Sequence, residues 1–420
     1  DVYRETTAKP EPADEEHLVL SVTLYRLLSG ILGFAPPWGV LYGVRPAKLM
    51  HRLCAQMGDD AAVAHFQTAF LTQKSKAELA HEVMLHENRS IARSGPKSFS
   101  LYVSIPFCPT RCAYCSFVSH SIEKTHKLMT PYVDLLLREL EETSKYAKEL
   151  GLELATVYFG GGTPTTLSAQ DLGRIFSTIE QNFDLSHLME YTVEAGRPDT
   201  VTRERLEVIQ AAGVQRISIN PQSFNDKVLE AIGRRHTAQQ TLDAFALARD
   251  CGFDHINMDF IAGLPEDDLP SFQRSIQTAL DLQAESITVH TLALKTSAYM
   301  VTREQTFDLK DRLTVSNMVD YAGQTLHGAG YYPYYMYRQS KSLGNLENVG
   351  CYDCLYNVYM MDETHTVLAV GAGAVTKLRG QNSGMIERIY NYKYPYEYIR
   401  DFDTLLERKK RIPGFYAEYD

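Results

Sequence analysis

Three cysteines within eight residues are the part of the sequence best suited to chemistry. Cys108, Cys112 and Cys115 form the segment CPTRCAYC, so their thiols can point at one common centre. A structural zinc ion normally takes four protein ligands that close around it. Three local thiolates without a clear fourth ligand suit a cubane iron–sulfur cluster that leaves one iron open to a small molecule. We therefore predict a [4Fe–4S] cluster, and a zinc site with a distant fourth ligand stays the alternative.

The other cysteines do not form a disulfide framework. Seven cysteines in 420 residues are too few, and an odd number, for one. Cys351 and Cys354 form a CxxC pair, for which an auxiliary cluster or a redox dithiol is conceivable. Two thiols cannot fill a cluster's ligand set, so we favour packing or a supporting role for this pair. Cys54 and Cys251 stand alone in predicted helices.

The elements that must hold the cysteine loop read as a parallel sheet. From Ser98 onward, short apolar runs alternate with amphipathic stretches, which is typical of buried parallel strands joined by helices. The predicted strands are SLYVSIPF, ATVYFGG, EYTVEAG, RISINPQ, HINMDFIAGLP and SITVHTLAL. Six strand–helix repeats predict right-handed crossovers and an open or partial barrel rather than a full eight-stranded one. Functional residues are then expected at the carboxyl ends of the strands.

The chain is expected to have three regions. Residues 1–97 are predicted to be mainly helical, residues 98–301 to form an α/β partial (β/α)6 barrel, and residues 302–420 to form a smaller α+β domain that covers the substrate. Outside the barrel, the apolar pattern predicts helices over 47–57, 61–88 and 309–327, and strands over 331–337, 355–361 and 366–370.

Composition and charge exclude several classes of protein. Hydrophobic residues make up 44% and charged residues 22%, which is a globular composition. A net charge of −10 argues against a general nucleic-acid or acidic-membrane binder. The uncharged run over 27–44 contains Pro36 and Pro37, which would break a membrane-spanning helix. Because the polar, acidic start shows no signal peptide, we expect a soluble cytoplasmic protein without a membrane span.

The CxxxCxxC spacing and the six predicted strands together resemble the radical S-adenosylmethionine (SAM) superfamily. In that family the cluster passes one electron to the sulfonium of SAM, and the resulting 5′-deoxyadenosyl radical abstracts hydrogen from the substrate. The protein holds both cofactors in line and keeps water away. The resemblance implies a [4Fe–4S] cluster on Cys108, Cys112 and Cys115, SAM, and an electron donor such as flavodoxin or ferredoxin.

The resemblance also assigns SAM contacts, mostly at the strand ends after the cysteine loop. The motif GGGTP follows the second strand, and its missing side chains let the backbone approach a ligand closely. By resemblance, Gly161, Gly162 and Thr163 of this motif contact the methionine moiety of SAM. The other implied SAM contacts are Tyr102, Tyr114, Glu194, Gln222, Arg234, Asp259 and, through its backbone, Ala293. One charged residue at an apolar strand end is ambiguous, but polar residues at successive strand ends favour a binding site.

Within the radical SAM superfamily, the sequence most specifically resembles the oxygen-independent coproporphyrinogen III oxidase family. The barrel segments that carry it are YVSIPFCPTRCAYCSF, GGGTPT, NPQSF, GRRHT and DFIAGLP. Further segments resemble the coproporphyrinogen dehydrogenase branch, the HemZ type: WGVLYGVRPAKL, NLENVG, LYNVYMMDETHTVLAVGAG and the NYKYP and ERKK tail. The chain departs from the best-known oxidase branch at Ser104, where that branch has histidine, and at Phe117, where it has a further cysteine.

This resemblance implies a role in porphyrin and heme biosynthesis. The radical would remove a hydrogen atom from the β-carbon of each of two propionates of coproporphyrinogen III, and loss of carbon dioxide and one electron would leave vinyl groups, giving protoporphyrinogen IX. Arg45, Arg216 and Arg338 are candidate partners of the substrate carboxylates on chemical grounds. A heme-binding chaperone with a radical SAM core, and a radical SAM enzyme that modifies heme or another tetrapyrrole, stay the alternatives.

Overall fold

The computed structural model describes most of the chain, namely residues 13–41, 45–115, 120–293, 309–336, 347–350 and 353–420. The chain divides into two units: Asp1–Arg89 with Pro333–Ser340, and Ser90–Tyr332 with Lys341–Asp420. The three-region division of the sequence stays a prediction. In the described part of the chain, no helix is both long enough and apolar enough to cross a bilayer.

The smaller unit is mainly helical, as the sequence predicts. Its helices are α1 (Ala13–Leu32), α2 (Pro46–Met57), α3 (Asp59–Thr68) and α4 (Lys74–Ile91). The prediction of one helix over 61–88 was wrong, because the chain leaves helical geometry between α3 and α4, where Leu71 has a φ of 56°. Trp38, Met50, Phe66 and Val83 are buried together in the core of this unit.

Six parallel strands form the centre of the larger unit. Its first strands are β1 (Ser98–Ile105), β2 (Phe107–Cys108), β3 (His120–Ser121), β4 (Glu153–Gly161), β5 (Glu190–Glu194), β6 (Arg216–Ser218), β7 (His255–Ala262) and β8 (Ser286–Thr291). Strands β1, β4, β5, β6, β7 and β8 lie side by side in that order, and each neighbouring pair is parallel. The predicted strands and their parallel arrangement are thereby confirmed. β2 and β3 pair with each other.

The C-terminal residues extend this sheet on both edges. The later strands are β9 (Tyr332–Tyr335), β10 (Glu347–Gly350), β11 (Thr366–Val370), β12 (Val375–Arg379) and β13 (Ile386–Tyr390). β11 pairs with β1 in parallel, β12 and β13 follow in antiparallel fashion, and β10 pairs antiparallel with β8. The outer strands of the six-stranded centre do not pair with each other, because β1 pairs with β11 and β8 pairs with β10. The centre therefore does not close into a full barrel. The predicted strand over 366–370 is confirmed. Of the strand predicted over 331–337, β9 confirms residues 332–335, and residue 337 lies outside the described residues.

The helices of the larger unit cover the sheet and follow its strands. They are α5 (Ile122–Glu149), α6 (Ala169–Asn182), α7 (Arg203–Ala211), α8 (Asp226–Ala231), α9 (Ala238–Asp250), α10 (Leu269–Asp281), α11 (Leu309–Gly328), α12 (Leu355–Asp362), α13 (Pro395–Arg400), α14 (Phe402–Lys409) and α15 (Arg411–Tyr419). Leu136 of α5, Ile175 of α6 and Ile276 of α10 are fully buried in the same core as the strands. Burying such a side chain contributes about 1.5–3 kcal/mol each.

The strand predicted over 355–361 was wrong, because this segment forms α12. The carboxylate of Glu190, on β5, accepts hydrogen bonds from the backbone amides of Leu355 at 2.6 Å and Tyr356 at 3.2 Å. These are orphan amides of the first helical turn, and a negative group at this end is favoured by the helix dipole. The capping residue is far away in the sequence, so no local signal marks the start of this helix.

Candidate functional site

The glycine motif at the end of β4 is joined to the cysteine loop through backbone contacts. The amide of Gly162 donates to the carbonyl of Ile105 at 2.7 Å, and the amide of Thr163 donates to the carbonyl of Phe107 at 2.7 Å. A Cβ atom on Gly162 would lie only 2.6 Å from the oxygen of Phe107. Gly161 has a φ of 102°, which favours glycine. The glycines are therefore required by close packing against the segment that leads into the cysteines.

Side chains from neighbouring loops reach two of the cysteine sulfurs. The hydroxyl of Thr163 donates to Cys108 Sγ at 3.5 Å. Arg197, which follows β5, places Nη1 3.8 Å from Cys112 Sγ, and the charge of Arg234 also interacts with the Cys112 side chain. Two guanidinium groups therefore place positive charge near one sulfur, which would favour a negatively charged cluster bound there.

A second network links the cysteine loop to the ends of β6 and β7. The hydroxyl of Tyr114 donates to Gln222 Oε1 at 3.2 Å, and the amide of Gln222 donates to the carbonyl of Asp259 at 2.9 Å. Arg234 interacts with Tyr114 and donates from Nη1 to the carbonyl of Asn220 at 2.5 Å. Gln222 has a φ of 66°, and such strained non-glycine backbone clusters at functional sites. Four of the predicted SAM contacts thus lie in one connected group.

Glu194, at the end of β5, lies against a group of tyrosines. The hydroxyl of Tyr158 donates to Glu194 Oε1 at 2.6 Å. A Cβ atom on Gly160 would lie 3.2 Å from Tyr102 Oη and 3.3 Å from Glu194 Oε1, so both groups approach the same glycine. Tyr356 of α12 stacks on Tyr102 and Tyr158, with ring centroids 5.8 Å and 4.5 Å apart. Helix α12 therefore brings an aromatic side chain next to Tyr102, a predicted SAM contact, and next to Tyr158, which donates to the predicted contact Glu194.

The Glu194 carboxyl group has a raised pKa. Burial raises the pKa of Glu194 to about 7 against the opposing hydrogen bond from Tyr158, and the charge of Asp259 adds to the rise. Asp259 accepts a hydrogen bond from Asn257 Nδ2 at 2.7 Å and lies 4.0 Å from His290 Nε2. Burial lowers the pKa of His290, although Asp259 opposes the change. A carboxyl group that titrates near neutral pH is a common feature of functional sites.

The donor set fits a cluster and a polar ligand. Asn220 Oδ1 and Arg234 Nε are buried and have no hydrogen-bond partner in the described part of the chain. Unpaired buried polar atoms are costly, and a ligand with amino and carboxylate groups would satisfy them. Among the described residues, the three sulfurs of the cysteine loop do not form a group lying within 4.8 Å of one another, the spacing suited to a single shared ion. A multi-iron cluster accommodates a wider spacing.

Arg197, His236 and His290 near these residues were not singled out from the sequence. Arg197 is 3% exposed and forms an ion pair with Asp199, with Nη2 2.9 Å from Oδ2. Burial and the nearby charges of Arg234 and Arg197 lower the pKa of His236 to about 3, so this imidazole is neutral at pH 7. Arg197 could have been found from its position three residues after the end of β5, in EAGRPD, and His236 from its place in GRRH beside Arg234. His290 lies near the end of β8, in TVHT.

The remaining candidate residues from the sequence are not part of the networks described above. Ala293 is partly buried directly after β8. Cys354 is buried, and its thiol donates to Glu190 Oε1 at 3.6 Å. Arg216, on β6, is 3% exposed and interacts with the charges of Glu190 and Glu194. Cys351, Phe117 and Arg338 lie outside the described residues, and Arg45 belongs to the smaller unit.

Comparison with known proteins identifies the family. The sequence pattern of the Radical SAM superfamily matches residues 102–279. The oxygen-independent coproporphyrinogen-III oxidase-like protein HemZ of Bacillus subtilis (strain 168) is 36% identical over 398 residues, covering 93% of this chain and 79% of that protein. The chain belongs to the HemZ-like family of radical SAM proteins. Members of the radical SAM superfamily use a [4Fe–4S] cluster and SAM, as the sequence resemblance implied.

Two further likenesses bear on this radical SAM protein. The heme chaperone HemW of Bacillus subtilis (strain 168) is 31% identical over 313 residues, covering 73% of this chain and 79% of HemW. The solved structure of coproporphyrinogen III oxidase (HemN) from Escherichia coli aligns with a TM-score of 0.59 at 22% identity, covering 76% of this chain and 72% of HemN. At that identity the structural likeness concerns the fold, and it agrees with the predicted α/β partial radical SAM barrel.

Proposed function

We propose that this protein binds a [4Fe–4S] cluster through Cys108, Cys112 and Cys115, and binds SAM at the adjacent strand ends. The observation that carries the proposal is the network from the cysteine loop to the strand ends. The charge of Arg234 interacts with Cys112 and Tyr114, Arg197 Nη1 lies 3.8 Å from Cys112 Sγ, and Tyr114 donates to Gln222. A ligand on an open iron would therefore meet residues that are already connected to the loop holding that iron.

The residues of the site have distinct roles in this proposal. Arg197 and Arg234 hold positive charge next to Cys112. Gly161 and Gly162 keep the backbone of their loop against the cysteine loop, so both loops present one surface to the ligand. Glu194, held by Tyr158, offers a carboxylate for polar groups of SAM. When bound, the two cofactors supply an electron and a carbon-centred radical able to abstract hydrogen.

Tyr102, Thr163, Asp259 and Ala293 complete the proposed SAM contacts. The side chains of Tyr102 and Glu194 both lie close to Gly160. The carbonyl of Asp259 accepts a hydrogen bond from the amide of Gln222. Tyr356 of α12 covers the tyrosine pair and helps to exclude water from the strand ends. These side chains bind and orient the ligand, and we assign none of them as a base or nucleophile.

We further propose that the reaction is oxidative decarboxylation of coproporphyrinogen III in heme biosynthesis. Each propionate would lose a hydrogen atom from its β-carbon to the 5′-deoxyadenosyl radical, then carbon dioxide, and one electron to a one-electron acceptor, which would leave a vinyl group. The support is identity of 36% across 93% of the chain to a coproporphyrinogen-III oxidase-like protein. A reduced flavodoxin or ferredoxin is the class of electron donor proposed. The site is proposed to work in the cytoplasm.

A second candidate function is heme binding and delivery. It is favoured by the 31% identity to the heme chaperone HemW across 73% of the chain. It also agrees with the departure from the best-known oxidase branch at Ser104, whose hydroxyl donates to the carbonyl of Ala372 at 2.8 Å.

An anaerobic assay with cluster-reconstituted protein, SAM, dithionite and coproporphyrinogen III separates these functions. We expect 5′-deoxyadenosine, carbon dioxide and vinyl-bearing product, all absent in Cys112→Ala and retained in Cys251→Ala, which changes a cysteine far from the loop. Stoichiometric heme binding with no vinyl product from an intact cluster would support the chaperone instead. A product that gains a methyl or deoxyadenosyl-derived group would point to modification of heme or another tetrapyrrole.

A further inference from the structure

A group of potential metal ligands lies in the smaller unit, apart from the residues proposed to bind the cluster and SAM. It consists of Cys54 on α2, Asp59 at the start of α3 and His81 on α4. The sulfur, a carboxylate oxygen and a ring nitrogen of these residues all lie within 4.8 Å of one another. The sequence analysis placed Cys54 alone, and this prediction was wrong, because the cysteine lies next to Asp59 and His81.

The backbone between α2 and α3 explains how the first two ligands meet. Gly58 separates the helices with a φ of 84°, and its amide donates to the carbonyl of Cys54 at 2.9 Å. This turn brings the first residue of α3, Asp59, back over the last turn of α2. His81 then reaches Asp59 from α4, with Nε2 3.0 Å from Oδ2.

The three side chains already interact around a common point. The Asp59 carboxylate oxygen Oδ2 lies 3.0 Å from Nε2 of His81, and the Cys54 sulfur lies within 4.8 Å of both groups. Burial, together with the charge of Asp59, raises the pKa of the Cys54 thiol to about 11. The three donor groups are therefore already close together in the folded protein.

We propose that Cys54, Asp59 and His81 bind one Zn²⁺ ion. A thiolate, an imidazole nitrogen and a carboxylate oxygen form the mixed donor set that suits zinc, whereas magnesium and calcium prefer oxygen ligands alone. The thiol proton would pass to solvent on binding, because the metal ligand is the thiolate. Three protein ligands leave a fourth tetrahedral position for water, and the 56% exposed side chain of Asp59 keeps this position open to solvent.

An ion bound here would connect three helices of the smaller unit. It would join the end of α2, the start of α3 and the middle of α4, three helices that share one small core. A ligand that binds the folded state alone stabilises it by mass action. The site is independent of the proposed decarboxylase function, since its ligands include none of the residues assigned to SAM or the cluster.

Metal analysis of the cluster-reconstituted protein tests the site, because iron then occupies the three loop cysteines. After incubation with Zn²⁺ and gel filtration, we expect about one zinc per chain in addition to the iron. Cys54→Ser, Asp59→Asn and His81→Gln should each weaken zinc binding by at least about tenfold. Cys251→Ser and Asp60→Asn serve as matched controls and should keep the zinc.

Two further measurements show whether the Cys54 thiolate binds the metal and whether the metal stabilises the folded protein. Co²⁺ in place of Zn²⁺ should give a thiolate-to-metal charge-transfer band that Cys54→Ser abolishes, and Zn²⁺ should raise the melting temperature of wild type but not of Asp59→Asn. Unchanged iron content would show that each variant retains its larger unit. Equal zinc content in wild type and all three ligand variants would overturn the proposal and leave a hydrogen-bonded cluster only.

Discussion

The hydroxyl of Tyr158 lies 2.6 Å from Glu194 Oε1 and donates a hydrogen bond to it. This bond lowers the pKa of Glu194, yet burial and the charge of Asp259 leave that pKa at about 7. Glu194 is thus poised to change charge within the physiological range, at the position where SAM is proposed to bind. The following predictions concern this carboxyl and the residues that position the cysteine loop.

Glu194 should make the stability of the SAM-free protein fall as the pH rises. An ordinary glutamate has a pKa near 4.3, so between about pH 4.3 and pH 7 the folded state holds a proton that the unfolded state has lost. This stabilising contribution is complete below that window and is lost as the pH rises through about 7. Urea unfolding from pH 5 to pH 8 should show a loss of about 1–3 kcal/mol in wild type that is absent in Glu194→Gln.

The comparison with Glu194→Gln isolates this group, since other residues titrate identically in both proteins. Tyr158→Phe removes the hydrogen bond that favours the charged carboxylate, so the pH at which stability levels off should move upward. Superimposable pH profiles for wild type and Glu194→Gln would contradict the assignment.

Gly162→Ala should prevent cluster binding. Its new Cβ would lie 2.6 Å from the carbonyl oxygen of Phe107 and 2.9 Å from that of Ile105, so the cysteine loop would have to move. We expect iron content after reconstitution to fall at least about fivefold while the far-ultraviolet circular dichroism stays unchanged. Gly173→Ala is the control, because its Cβ would meet only a Val208 side-chain atom at 3.6 Å, in a helix where alanine is favourable. Full iron content in Gly162→Ala would refute this reasoning.

Arg197→Gln should make the cluster harder to reduce. The guanidinium lies 3.8 Å from Cys112 Sγ, and removing its positive charge disfavours the added electron. The same change leaves Asp199 without its partner, so the free energy of unfolding should fall by about 2–4 kcal/mol. Redox titration followed by electron paramagnetic resonance should give a lower potential for Arg197→Gln and a potential near wild type for Arg197→Lys. The exposed Arg203, changed to Gln, should alter neither quantity.

Lys409→Met should be strongly destabilising, whereas Lys410→Met should change the stability little. Lys409 Nζ lies 2.7 Å from Glu139 Oε1, and both side chains are fully buried. Removing the lysine leaves a buried carboxylate without its counter-charge, at a cost of about 3–5 kcal/mol in urea unfolding. Lys410, paired with Glu407 on the surface, is the control, and Lys410→Met should change little. A loss for Lys409→Met as small as that for Lys410→Met would mean that Glu139 is held by its other donors, Tyr398, Asn391 and the amide of Gly371.

The sequence alone determined the cysteine loop, the glycine motif and the six parallel strands. Each is encoded locally: a three-cysteine spacing, a glycine run, and apolar segments of strand length that alternate with helices. From these and a family resemblance, the fold and cofactors could be predicted. The roles of the individual SAM contacts stay predictions, although the structure brings Tyr114, Gln222, Arg234 and Asp259 together.

Only the tertiary structure decided how distant residues meet. Helix α12 begins where Glu190, 165 residues before Leu355, caps its amides, so its apolar pattern was mistaken for a strand. Arg197 is 85 residues from Cys112, and their contact depends on the parallel strands β1 and β5, which have β4 between them, ending at the same edge of the sheet. Cys54 meets His81 through a turn at Gly58 and the packing of three helices. Such contacts follow from strand register and helix packing, which local periodicity does not encode.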